Sequence, residues 1–170
     1  TGMGRLSGNF SFNSPMHLGD ALAVNLLKTQ GSDYQRLAYS LPMGLDGLRG
    51  GVQMSHMQYR LLGEFASLNG SGTASTGGVN VSYPLVRSQY ENINVALSYD
   101  AKTFDNVNST GPQSNYKVNV VNASFNLSEL DNWAGGGANS ASVALTSGQV
   151  NLNGSANQSA DATGANTQGA

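Results

Sequence analysis

The sequence predicts an all-β protein: an antiparallel meander of about eight strands, forming a fragment of a transmembrane β-barrel. Three observations carry this. Apolar and small polar residues alternate with period two through most of the chain, as strands require when successive side chains point to opposite faces. Clusters of Gly, Pro, Asn, Asp and Ser punctuate the runs. Only 11% of residues are charged, against about 25% in ordinary soluble domains, so the polar parity lacks the Lys, Glu and Arg that a water-exposed face carries.

The elements follow in order. Strand one covers residues 4–13, with Leu6, Phe10 and Phe12 opposite Ser7, Asn9 and Ser11, and ends in the turn SPMHLGD. Strand two is ALAVNLLKTQ, with Leu22, Val24 and Leu26 on one face; GSDYQ leads to strand three, RLAYSLP. Strand four is LRGGVQMSHMQYRL, followed by the Gly/Ser-rich spacer LGEFASLNGSGTAS. Strand five, residues 77–85, sets Val79, Val81, Tyr83 and Leu85 against Gly78, Asn80 and Ser82. Strand six, INVALSYD, sets Ile93, Val95, Leu97 and Tyr99 against Asn94, Ala96 and Ser98. The polar stretch AKTFDNVNSTGPQS reads as a long loop before strand seven, residues 115–130, and DNWAGGG turns into strand eight, residues 139–152. Proline falls at strand ends or in loops, where its missing N–H costs no ladder bond.

Two parity switches need explanation. Tyr116, Val118 and Val120 hold one parity of strand seven, whereas Val121, Ala123, Phe125 and Leu127 hold the other; a bulge near Val120–Asn122 is expected. A similar bulge is expected in strand four, where Val52 and Met54 give way to Met57, Tyr59 and Leu61.

The two faces point to their media. In a membrane barrel the apolar parity meets lipid and the small polar parity a hydrated lumen, with strands of about 9–11 residues. Gln53, Ser55, Asn80, Ser82, Asn94, Ser98 and Asn119 are the predicted pore lining, a wall of short neutral groups without a charge cluster. Tyr59, Tyr83, Tyr99 and Trp133 lie at or near predicted strand ends, where aromatic girdles belong. The spacers after strands four, six and eight are long and polar and read as external loops, although the one after strand two is short. Residues 1–153 are therefore assigned to the barrel and 154–170 to a polar, extracellular loop or linker. The first residues already alternate, so the chain is expected to be an internal fragment.

Chemistry finds little purchase. The net charge of −2 gives no electrostatic case for nucleic acid. The absence of cysteine excludes disulfides and thiolate metal sites. His17 reads as a turn residue and His56 as a wall or interface residue; neither sits in HExxH or HxH spacing, and Asp20 near His17 reads as a turn former. GRLSG and AGGGAN lack the helix that makes a phosphate cradle meaningful. The glycosylation patterns at Asn69 and Asn126 carry no weight in a bacterial-type barrel. No catalytic, cofactor or metal residues are predicted, and the chain is expected not to be an enzyme.

The order of the blocks NSP…LGD, YSLPMG, SYPL and GGGANSASVALTSG across residues 1–152 resembles the barrel of the two-partner secretion transporters, the haemolysin secretion/activation (ShlB/FhaC/HecB) proteins, relatives of the BamA superfamily. The resemblance implies a bacterial outer-membrane pore that exports a large partner exoprotein of haemolysin or adhesin type without nucleotide. It also implies a sixteen-stranded barrel, of which this chain holds the second through ninth strands, with POTRA domains upstream. The POTRA domains, the inward loop with its Val-Arg-Gly-Tyr type motif and the terminal strand are not in this sequence, so no family residue is carried over. The alternatives are a general porin- or adhesin-type barrel and a soluble carbohydrate-binding β-sandwich.

Overall fold

A computed structural model describes residues 4–109, 111–131, 135–155 and 158–164. It contains strands β1 (Arg5–Asn13), β2 (Ala21–Thr29), β3 (Ser32–Pro42), β4 (Arg49–Arg60), β5 (Ser71–Arg87), β6 (Glu91–Asn108), β7 (Gly111–Asp131) and β8 (Gly137–Asn151). A 3-10 turn over Gly63–Leu68 links β4 to β5, and a six-residue helix α1 (Gln158–Thr163) forms in the tail where the sequence reads as loop. Among the described residues no helix is long and apolar enough to cross a membrane, which says nothing of strands.

The strands form a single antiparallel sheet in the order β1-β2-β3-β4-β5-β6-β7-β8, as the sequence predicts, and β1 does not pair with β8. A two-sheet sandwich is excluded by this topology. The register is continuous along most ladders, with shifts only between Pro84 and Val86 in β5 and between Asn106 and Val107 in β6. The first is placed where proline has no N–H to give, so an extra residue, Leu85, can leave the ladder at little cost.

The ladders depart from four of the sequence expectations. The bulge expected near Val120–Asn122 is absent, because β7 pairs with β6 without interruption from Asn115 to Glu129. The bulge expected in β4 is absent as well, since Arg49–Tyr59 pair in unbroken register with β3. The stretch AKTFDNVNSTGPQS is mostly strand: β6 runs on to Asn108 and β7 begins at Gly111. The Gly/Ser part of the spacer after β4 is likewise the start of β5. Thr103, Phe104, Val107, Tyr116 and Val118 favour strand, and their polar neighbours pair in the same ladder.

Candidate functional site

Side chains directly opposite in an antiparallel pair share a face, so the register sorts the chain into two surfaces. One row reads Phe12, Leu22, Tyr39, Val52, Val79, Tyr99, Val121 and Ser147 from β1 to β8. The row displaced by one residue on β4 to β7 reads Gly51, Asn80, Ser98 and Asn122. Val79, Val81, Tyr83, Ile93, Val95 and Leu97 thus share one face, and Asn80, Ser82, Asn94 and Ser98 the other.

Along the middle of β4 and β5 exposure runs opposite to polarity, whereas at the start of β6 Asn94 is exposed and Ile93 and Val95 are half-buried. On β4 the apolar Val52 and Met54 are 52% and 59% exposed, while Gln53 and Ser55 between them are half-buried. The same alternation continues along β5 from Ser75 to Val81. A curved sheet explains this: side chains crowd and shield one another on the concave side and splay apart on the convex one. The polar face is the concave one. Among the described residues the only buried hydrophobic side chain is Leu152, at 7% exposure, so there is no apolar core. Each large apolar side chain moved out of water contributes roughly 1.5–3 kcal/mol. The exposed set, from Phe10 and Phe12 on β1 to Val143 and Leu145 on β8, therefore leaves tens of kcal/mol (on the order of magnitude) to be supplied by an apolar medium.

These apolar residues form a belt that crosses the strands obliquely. On β1 it covers Leu6–Phe12, on β6 Ile93–Tyr99 and on β8 the positions from Ala141 to Leu145. Relative to the row through Tyr39 and Tyr99, its midpoint lies about three residues to one side on β1 and about four to the other on β8. That drift is about one residue per strand; with a rise of ~3.3 Å and a strand spacing of ~4.8 Å, the strands tilt about 35° from the belt's normal. Tilts of about 35–45° are those of membrane barrels. Because the belt is oblique to the rows, the lipid boundary falls at a different residue on every strand.

Beyond the belt on β2 to β7 the two faces exchange character. The convex side turns polar, with His56 Nδ1 at 2.8 Å from Ser75 Oγ, Lys28 Nζ at 3.2 Å from Asp33 Oδ2, and Thr103, Asp105 and Lys117 nearby in the same register. The concave side turns aromatic. Phe104 and Tyr116 stack with centroids 4.9 Å apart, and the Tyr59 hydroxyl donates to Asn106 Oδ1 at 2.7 Å. Asn106 Nδ2 in turn donates to Ser114 Oγ at 2.7 Å. Tyr59 therefore faces inward and is not a girdle residue. Tyr83 lies within the belt and Tyr99 at its edge, whereas Trp133 lies outside the described residues. Tyr90 in the β5–β6 turn is exposed as well.

Six of the seven predicted lining residues, Gln53, Ser55, Asn80, Ser82, Asn94 and Ser98, share the concave face. Asn119 does not. It stands opposite Ala101 and Gln149 on the convex face, just past the belt's edge. The concave wall also carries charge that the reading of a neutral lining missed. Arg36 Nη2 donates to Gln53 Oε1 at 2.7 Å, and Gln53 Nε2 donates to Asp100 Oδ1 at 2.9 Å, reaching from β4 to β6 across Gly78 on β5. A β-carbon at Gly78 would collide with the Asp100 carboxylate, so only glycine permits the bridge. Lys102 shares this face with Ser55 and Arg36. No group of three His, Cys, Asp or Glu side chains able to hold a metal occurs among the described residues.

The β1–β2 turn is built around Asp20, which is 2% exposed. Its carboxylate accepts from the Tyr39 hydroxyl at 3.0 Å and from the N–H groups of Met16 and Leu18 at 3.3 Å. Burial alone pushes this carboxyl up, but the bonds from Tyr39, Leu18 and Met16 outweigh it and hold the group below its usual 3.8. His17 occupies the left-handed region at φ 61° as part of the same turn.

A family model described as "Haemolysin secretion/activation protein ShlB/FhaC/HecB" matches residues 1–169. No curated protein matches the chain.

Proposed function

This chain belongs to the haemolysin secretion/activation (ShlB/FhaC/HecB) family of outer-membrane two-partner secretion transporters, and from that premise we propose that its sheet is part of the wall of a pore that passes a secreted partner exoprotein without nucleotide hydrolysis. The observation that carries the proposal is the inverted burial along the middle of β4 to β6: Val52, Met54, Val79, Val81, Leu97 and Tyr99 on the convex face are exposed, while Gln53, Ser55, Asn80 and Ser98 on the concave face are shielded. Such a sheet suits lipid outside and water inside. The partner is an extended polypeptide of haemolysin or adhesin type, which matches a wall offering amide, hydroxyl and guanidinium groups rather than a closed pocket. The end carrying the β1–β2, β3–β4 and β5–β6 turns faces the periplasm. Between Tyr99 and Val121 the chain spends 21 residues beyond the belt, whereas only 6 separate Val86 from Ile93 at the opposite end. Longer excursions on the external side are usual in outer-membrane barrels.

The lining works by exchange of hydrogen bonds with a passing backbone, and its Arg36 and Asp100 are tied to each other through Gln53. The test is secretion of the partner by the full-length transporter carrying single alanines at Gln53, Ser55, Asn80, Ser82, Asn94 and Ser98. Export stays near its normal level for each, and falls when two neighbouring positions, Asn80 and Ser98, are both made Trp. Loss of export from one alanine at undiminished barrel abundance refutes a passive wall and identifies a recognition site instead.

A further inference from the structure

From the two turns at the β1–β2 and β3–β4 hairpins we infer that they are membrane anchors, dipping their tips into the phospholipid interface at the short-turn end. The inference rests on the convex face being the lipid face.

The first observation is where the turns lie. Asp20 continues the convex parity of β2, and its carboxylate meets the hydroxyl of Tyr39, which stands on the convex face opposite Leu22. The β1–β2 turn therefore curls outward over that face. The β3–β4 turn does the same. Gly50 falls in the convex row between Leu41 and Val81, and a β-carbon there would run into the Met43 sulfur, so Met43 lies over Gly50 and fills a gap in the belt.

The second observation is what the β1–β2 turn hides. Pro15 has no N–H, and every other N–H from Ser14 to Gly19 has a partner inside the turn. Ser14 donates to the Asp20 carbonyl at 2.6 Å, His17 to the Ser14 carbonyl at 2.9 Å and Gly19 to Ser14 Oγ at 2.9 Å, while Met16 and Leu18 donate to the Asp20 carboxylate. A turn bathed in water has no need of such closure. A turn pressed against the edge of the apolar region gains from it, because a polar group that gives up water there without a partner costs roughly a few kcal/mol.

The third observation is what the turns show. Met16 and Leu18 are 66% and 62% exposed, and Leu45 at the other tip is fully exposed. Unbranched methionine adapts to a fluid, irregular surface. These residues continue the belt, so their occupant is the same lipid that covers Val52 and Val81, at the shallower depth of the headgroup and glycerol region.

The experiment uses the full-length transporter reconstituted in phosphatidylethanolamine/phosphatidylglycerol vesicles. Single cysteines replace Leu18, Leu45, Val95 and Asn115 in turn; this chain has none of its own. Each is labelled with an environment-sensitive fluorophore and quenched by lipid carrying a nitroxide near the headgroup, by lipid carrying one deep in the chain, or by iodide. The labels at Leu18 and Leu45 are expected to be quenched several-fold more by the shallow nitroxide than by iodide. The label at Val95 answers to the deep nitroxide and that at Asn115 to iodide. If Val95 escapes both nitroxides, the lipid face itself is wrong and the anchors fall with it. If Val95 behaves as expected but Leu18 and Leu45 answer to iodide, the turns are merely wet and the inference is overturned. Protection of both turn labels from every quencher also overturns it, since a protein then covers them.

Discussion

Replacing Val95 with arginine while leaving its neighbour Asn94 alone, and then doing the reverse, sets the two faces against each other at one depth. Val95 stands in the row with Tyr83, Phe125 and Val143, near the middle of the belt on β6, which runs from Ile93 to Tyr99. A cation at the bilayer midplane on the lipid face costs about 2–4 kcal/mol, a factor of roughly 30 to 1,000 in the folding equilibrium. Asn94 lies on the concave face, so Asn94→Arg projects into water and costs less than about 1 kcal/mol. Depth supplies a second comparison. Thr103 shares the convex face but lies about seven residues from the belt's middle; with a rise of ~3.3 Å and a tilt of about 35°, that is roughly 19 Å along the normal. This exceeds half of the ~25 Å apolar band, so Thr103→Arg costs only about 0–1 kcal/mol. The assay is reversible urea unfolding of the full-length transporter in vesicles. Equal costs at Val95 and Asn94 refute the assignment of faces, and equal costs at Val95 and Thr103 refute the boundary of the belt.

Gly78→Ala drives a methyl into the Asp100 carboxylate and to 2.9 Å from the Tyr99 carbonyl; the expected loss is about 1–3 kcal/mol, seen as a lower urea midpoint. Tyr59→Phe removes the donor to Asn106 and costs about 1 kcal/mol by the same measurement. The Asp20 carboxyl is held below 3.8, so its contribution is fully present above that value and is lost as pH falls through the lower folded value. Amide exchange at Met16 and Leu18 should therefore accelerate, beyond its intrinsic pH dependence, only below about pH 3.8, whereas Asp20→Asn accelerates it at pH 7 as well.

The meander and its facing residues were legible because period-two alternation survives wherever one side meets lipid and the other water. Where a strand leaves the lipid, the rule that links polarity to face lapses, and the reading went wrong there for one common reason. Tyr116, Val118 and Val120 line the aromatic inner wall above the belt, while Val121 to Leu127 form the belt itself. Two apolar sets on opposite faces at successive heights look like a bulge in sequence. Met54 followed by Met57 and Tyr59 on β4 is the same case. By polarity alone Asn119 belongs with the lining, but its polarity reflects a convex position outside the apolar band. The stretch from Ala101 to Ser114 looked like a loop because both its sides hold polar groups. Arg36 and Asp100 were missed as wall residues because the bridge between them depends on Gly78 lacking a side chain, a fact that emerges only when three strands lie side by side.

Two of the inner-wall bonds skip a strand: Gln53 to Asp100 over Gly78, and Tyr59 to Asn106 over Gly72. In the geometry of an arc these are chords. A chord of fixed length, strung between points whose separation along the curve is also fixed by the ladder, determines the radius there. One chord lies level with the belt and the other above it, so the radius is pinned at two heights. Flattening this stretch of wall breaks both ties, so the curve of β4 to β6 is held by side chains as well as by the ladder.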